Sequence, residues 1–255
     1  MNVEESIKKR LKEIEQQKNV KILFASESGS RAWGFPSQDS DYDVRFIYAH
    51  EPDWYLSVIP RKDVIEIPIE SDMDMGGWDI RKSFALLRKC NCALIEWLSS
   101  PIVYTVNDEA IAPLKNMISK AFLPRTACHH YLSLASRKTD EIMRSEQTKL
   151  KAYFYALRAA LCAKYIVDEG TAPPMLIDPL LAKYFSGKAT YKGIGELRNQ
   201  KYHSTEKDLV GRIDWLDQFL TDTIKDVENR LPKNNKKAPL EEYDEAFRKT
   251  LKLVW

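Results

Sequence analysis

Apolar residues open the chain at Val3, Ile7, Leu11 and Ile14 with charges between them, the spacing of an amphipathic helix. Residues 21–26 (K-I-L-F-A-S) then read as a buried strand. Residues 28–40 hold Gly29, Gly34, Pro36 and Asp39 and form a loop. Residues 42–49 make a second strand, with Val44, Phe46 and Tyr48 on the face opposite Asp41 and Asp43. Residues 63–70 alternate as a third strand through Ile65, Ile67 and Ile69, and Pro68 assigns it an edge because proline cannot donate to a ladder. A fourth extended piece, 72–78, runs into a helix over 80–89 that Asp79 caps and that places Ile80, Phe84 and Leu87 on one side.

Beyond Tyr104 apolar residues recur at three and four rather than two, and the spacing predicts helices over 108–121, 125–145, 147–168, 178–186, 206–230 and 240–253. Gly170 and the Pro173-Pro174 pair end the third of these, and Pro232 and Pro239 bracket a polar linker. The expected class is α+β: a small mixed β-sheet flanked by helices in residues 1–105, followed by an all-helical C-terminal domain over 106–255.

The 255 residues can bury a sizeable core as one large domain or two modest ones. No apolar run is long enough to span a bilayer and no secretory signal opens the chain, so no membrane partner is expected and a cytoplasmic location is. A net charge of +2 neither demands nor excludes nucleic acid. The cluster Lys233, Lys236 and Lys237 reads as a solvated linker, or else as an arm that contacts phosphate. Cys90, Cys92, Cys128 and Cys162 match neither a zinc motif nor a disulfide framework. Cys128-His129-His130 is no metal site either, since adjacent helical residues point apart.

Chemistry concentrates in residues 29–43, G-S-R-A-W-G-F-P-S-Q-D-S-D-Y-D. Asp41 and Asp43, two apart, project side by side and repel by roughly 1 to 4 kcal/mol. A divalent metal offsets that, and oxygen ligands on a rigid element suit Mg²⁺ with substrate phosphates. Gly29 allows close backbone approach to a ligand, the turn after it presents N–H groups to phosphate, and Ser30 offers a hydroxyl. Arg31 either adds charge there or pairs with a loop acid. Two metals need a third acid. Asp72, Asp74 and Asp79 qualify; Asp74 is preferred, with Asp79 next because it also caps a helix. Lys151, Tyr155 and Arg158 share one helix face, which either meets a triphosphate or is an ordinary exposed face, and Arg81 and Lys82 pose the same choice. The insert Trp54-Tyr55-Leu56 packs on the sheet edge or stacks on bases.

Gly-Ser followed by S-D-Y-D-V resembles the signature of the DNA polymerase beta-type nucleotidyltransferase superfamily. The segments G-S-R-A-W-G-F, S-D-Y-D-V-R-F-I-Y, G-W-D-I-R-K and L-I-E-W-L-S-S-P-I-V-Y are similar to its RlaP-type branch, nucleotidyltransferases associated with RNA ligases and RNA repair. With K-A-Y-F-Y-A-L-R and Pro173-Pro174-Met175 the resemblance runs to about residue 200. It implies Asp41, Asp43 and Asp74 as catalytic metal ligands, two Mg²⁺ ions with Mn²⁺ as a substitute, and Gly29 and Ser30 on the triphosphate of a nucleotide such as ATP. Arg31, Lys151, Tyr155 and Arg158 complete the expected nucleotide contacts, and the helical domain is expected to complete the substrate cleft. The implied reaction moves a nucleoside monophosphate to an acceptor hydroxyl, on RNA ends, with release of pyrophosphate. Alternatives are a non-catalytic nucleotide- or RNA-binding partner of an RNA ligase and a protein-modifying nucleotidyltransferase.

Overall fold

Five strands, β1 (Lys21–Glu27), β2 (Tyr42–Ala49), β3 (Val64–Glu70), β4 (Met73–Asp79) and β5 (Val103–Val106), form one mixed sheet in the order β3-β4-β2-β1-β5. This computed structural model describes residues 2–70, 72–187, 189–203, 205 and 208–255. The chain divides into two compact units. One comprises Met1–Gly29, Asp41–Ala121 and Lys236–Trp255, and the other Ser30–Ser40 and Phe122–Asn235.

In the first unit β1 runs antiparallel to β2 and β5, β3 is antiparallel to β4, and β2 and β4 are parallel. Helix α1 (Val3–Lys18) opens with a capping box between Asn2 and Glu5. It buries Ile7, Leu11 and Ile14 against Val44, Phe46, Tyr48, Ile65 and Met75 of the sheet. Each such side chain contributes about 1.5–3 kcal/mol by leaving water. Phe46 lies beside Gly77 across the parallel pair, and a Cβ on Gly77 would come within 2.2 Å of its ring. β3 takes the expected edge, but its alternation stops early. Pairing slips between Ile67 and Glu70, around Pro68, and leaves Ile69 exposed rather than inward.

The expected 28–40 loop instead begins with a short helix, α2 (Gly29–Trp33), whose carbonyl at Ser30 accepts from Gly34 and Phe35. After β4 come α3 (Ile80–Arg88), α4 (Cys92–Leu98), α5 (Asp108–Asn116) and α6 (Ile118–Ala121). The expected 108–121 helix is thus interrupted at Met117.

The second unit carries α7 (Pro124–Met143), α8 (Leu150–Glu169), α9 (Ile177–Phe185), α10 (Ala189–His203) and α11 (Asp214–Asn229). Gly170, at φ 71°, ends α8 as expected. Residues 147–149 do not start that helix; as strand β6 (Gln147–Lys149) they pair with β7 (Leu209–Gly211). The expected 206–230 helix shortens accordingly, and residues 206 and 207 lie outside the described residues. The last helix, α12 (Leu240–Val254), returns to the first unit. All four cysteines are buried thiols outside any disulfide, and no helix among the described residues is long and apolar enough to cross a membrane.

Candidate functional site

Parallel pairing of β2 with β4 sets Asp43 beside Asp74, so both carboxylates leave the same face of the sheet. The next same-face pair is Arg45 beside Gly76. From there Arg45 reaches back, and its Nη2 lies 2.6 Å from Asp74 Oδ2 and 3.2 Å from Asp43 Oδ1. Its Nη1 also donates to the Asp74 carbonyl at 3.3 Å. Gly76 makes room for this: a Cβ there would stand 3.3 Å from Arg45 Nη1. The Arg45 hydrogen bond holds the Asp74 carboxyl below the usual carboxylate range, against the opposing effect of burial. Burial would lower the Arg45 pKa, but the hydrogen bond and charge of Asp74, with Asp43 and Glu27 behind, hold it raised.

Asp43 is fixed through its backbone as well. Its N–H donates to the Glu27 carboxylate at 2.9 Å, and its carbonyl accepts from Ser28 N–H at 2.8 Å. Glu27, at the end of β1, is wholly buried and also accepts a short hydrogen bond from the Tyr104 hydroxyl on β5. The other wall is Gly29, at φ 64°, where a Cβ would lie 2.2 Å from Asp43 Oδ2. Both its left-handed backbone and that contact exclude a larger residue. Asp41 is exposed and directly precedes β2.

The competing acids sit elsewhere. Asp72 is exposed, at φ 61°, and its carbonyl accepts from Tyr42 N–H. Asp79 lies five residues from Asp74, at the far end of β4, and caps α3 by accepting from Arg81 N–H at 2.7 Å. Its other oxygen accepts from Tyr55 at 2.8 Å, and burial raises its pKa to about 6. Trp54 stacks on His50, just past β2, at 4.0 Å with the Arg81 guanidinium of α3 5.6 Å from its ring, while Leu56 of the same insert is exposed.

The remaining expected nucleotide contacts gather in the second unit. Ser30 is buried and donates to Ser40 Oγ at 3.2 Å, while Arg31 donates to the Ser40 carbonyl at 2.6 Å. Lys201, also buried, donates to Ser37 Oγ at 3.0 Å. Tyr155 packs edge-on against Trp33 at 5.0 Å, and Lys151 lies 5.7 Å from the Tyr155 ring. Arg158 is buried 4.5 Å from the Trp33 ring and donates to the Met175 carbonyl at 3.1 Å. The stripe on α8 therefore meets the 30–40 segment through Trp33.

Sequence reading missed Glu27, Arg45, Tyr104, Trp33 and Lys201. Arg45 had a signal, since it continues the period-two series of Asp41 and Asp43. Glu27 had a weaker one, as a charge at the end of a buried strand. Tyr104 and Lys201 gave none, because their partners lie 77 and 164 residues away.

Among the described residues no group of three or more His, Cys, Asp or Glu side chains forms a metal cage. The donor set of Asp43 and Asp74 nonetheless fits a hard divalent ion: two carboxylates on rigid strands already converge on one cation, here the guanidinium.

This chain belongs to the RlaP family, the RNA repair pathway DNA polymerase beta family, whose model matches residues 3–249. It is 40% identical over 247 residues to uncharacterized protein YcgL of Bacillus subtilis (strain 168), covering 96% of this chain and 95% of that one. A solved nucleotidyltransferase-like protein from Exiguobacterium sibiricum 255-15 overlays at 12% identity and a TM-score of 0.31, over 88% of this chain and 74% of that one, a likeness too loose to carry weight.

Proposed function

We propose that this protein is a metal-dependent nucleotidyltransferase that moves a nucleoside monophosphate from a triphosphate such as ATP to an acceptor hydroxyl at an RNA end. The carrying observation is the convergence of Asp43 and Asp74 on one cation beside a glycine that admits no side chain. Membership in an RNA repair family supports RNA as the acceptor. In the reaction the acceptor oxygen bonds to the alpha-phosphorus, the bond to the bridging oxygen breaks, and pyrophosphate leaves. Asp41, Asp43 and Asp74 would hold two Mg²⁺ ions, or Mn²⁺ in their place. Bound metal supplies charge stabilisation at the phosphoryl oxygens and lowers the acceptor's pKa.

The chain's own residues orient these parts. Glu27 and Ser28 fix the backbone of Asp43, and the Cβ-free Gly29 leaves its carboxylate unobstructed. Ser30, Arg31, Lys151 and Tyr155 are assigned to the nucleotide. Arg158, buried on Met175 and Trp33, holds that surface in shape.

A second reading, a nucleotide- or RNA-binding partner of an RNA ligase without turnover, draws on the guanidinium held between Asp43 and Asp74. Measuring pyrophosphate release alongside calorimetric triphosphate binding separates the two. Release that needs both RNA and Mg²⁺ supports the enzyme; tight binding without release at any metal concentration supports the partner.

A further inference from the structure

We infer that Arg45 is a built-in counter-ion that competes with the divalent metal for Asp43 and Asp74. The inference rests on the metal-binding reading above and adds a residue that sets when the site loads.

One nitrogen, Nη2, contacts both carboxylates, at 2.6 and 3.2 Å. A Mg²⁺ ion bonded to the same two oxygens at about 2.1 Å would occupy nearly the same space. Guanidinium and metal exclude each other there sterically, and their like charges repel. Arg45 must leave for the metal to take both acids.

The guanidinium's place is built rather than incidental. Arg45 lies two residues beyond Asp43 on β2, and Gly76 beside it on β4 provides the room it occupies. A third hydrogen bond, to the Asp74 carbonyl, aims the fork along β4. Buried Glu27 adds attraction from β1.

Two consequences follow. The metal-free site keeps one of its two carboxylate charges balanced, which reduces the repulsion between Asp43 and Asp74. Metal binding then carries the cost of expelling a cation. The expelled guanidinium has a natural new partner in the phosphates of the incoming triphosphate, with which arginine pairs bidentately. Metal alone therefore binds weakly, and metal with nucleotide binds well.

The test is Mn²⁺ binding to the nucleotide-free protein, followed by electron paramagnetic resonance of free Mn²⁺, for wild type, Arg45→Met, Arg45→Lys and Asp43→Asn. Arg45→Met is expected to bind Mn²⁺ at least about tenfold more tightly than wild type, the change that 1.4 kcal/mol produces. Arg45→Lys, which keeps the charge without the fork, is expected to fall between. Thermal melting guards against a folding defect: Arg45→Met should melt lower without metal and recover when Mn²⁺ is added. Unchanged or weaker Mn²⁺ affinity in Arg45→Met, with Asp43-dependent binding in wild type, overturns the competition and leaves the metal site standing. Absence of Asp43-dependent Mn²⁺ binding in wild type and Arg45→Met alike overturns both.

Discussion

Gly29 and Asp43 constrain each other more tightly than any other pair in the candidate site. A Cβ on Gly29 would stand 2.2 Å from an Asp43 carboxylate oxygen, and its φ of 64° is one that L side chains seldom adopt. Gly29→Ala should destabilise the protein by about 1–2 kcal/mol for the left-handed backbone alone. It should also abolish nucleotidyl transfer, because the carboxylate must turn away from Asp74. Denaturant unfolding and a transfer assay on the same preparation check both, and full activity in a folded Gly29→Ala protein would count against Asp43 as a ligand. Much of this was legible in the sequence, where Gly29, Asp43 and Asp74 stand out by residue type and spacing. The cation between the acids was less so, since period two puts Arg45 on the right face without saying which way a long side chain turns.

Among the elements, α3 shows how a cap and a titration are linked. Asp79 ends β4 and starts α3, with one oxygen on Arg81 N–H and the other on the Tyr55 hydroxyl, in a fully buried position. Burial lifts its pKa from 3.8 to about 6. In that window the folded state keeps a proton that the unfolded state has released, so this group's stabilisation is full below pH 3.8 and is lost as pH rises through about 6. The loss approaches about 3 kcal/mol at neutral pH. Asp79→Asn keeps an acceptor for the cap and should flatten stability between pH 4 and 7, as measured by urea unfolding; an unchanged pH slope would refute the assignment. The cap, the edge position of β3 and helices α7, α8, α9, α11 and α12 were readable from pattern and punctuation, although α8 and α11 start later than the periodicity predicts. Helices α2 and α4 and the β6–β7 pair were not, nor were two elements whose reasons are plain. Strand β5 has four residues and no period of its own, and exists because β1 offers it a partner. Helix α10 contains Gly193 and Gly195 and holds few buried residues, so neither propensity nor amphipathicity announced it.

At the scale of the whole molecule, the first unit closes only when the end of the chain returns to it. Helix α12 buries Tyr243 and Thr250, sets Phe247 edge-on against Tyr55 and Phe84, and brings Trp255 Nε1 to the His50 carbonyl at 2.8 Å. A chain ending at Asn235 should therefore melt at a lower temperature and with lower cooperativity than the full chain, by calorimetry; identical melting would show that α12 is dispensable. A helical period identifies α12 but cannot say which surface its apolar face covers, so this return was not legible in the sequence. The central claim concerns chemistry at Asp41, Asp43 and Asp74, and alpha-labelled transfer tests it most directly. Wild type and Asp41→Asn, incubated with Mg²⁺, labelled triphosphates and RNA, should differ completely. The account predicts nuclease-sensitive label with wild type, none with Asp41→Asn, and a melting temperature in the variant that is unchanged or raised. Equal labelling by the two proteins would contradict it.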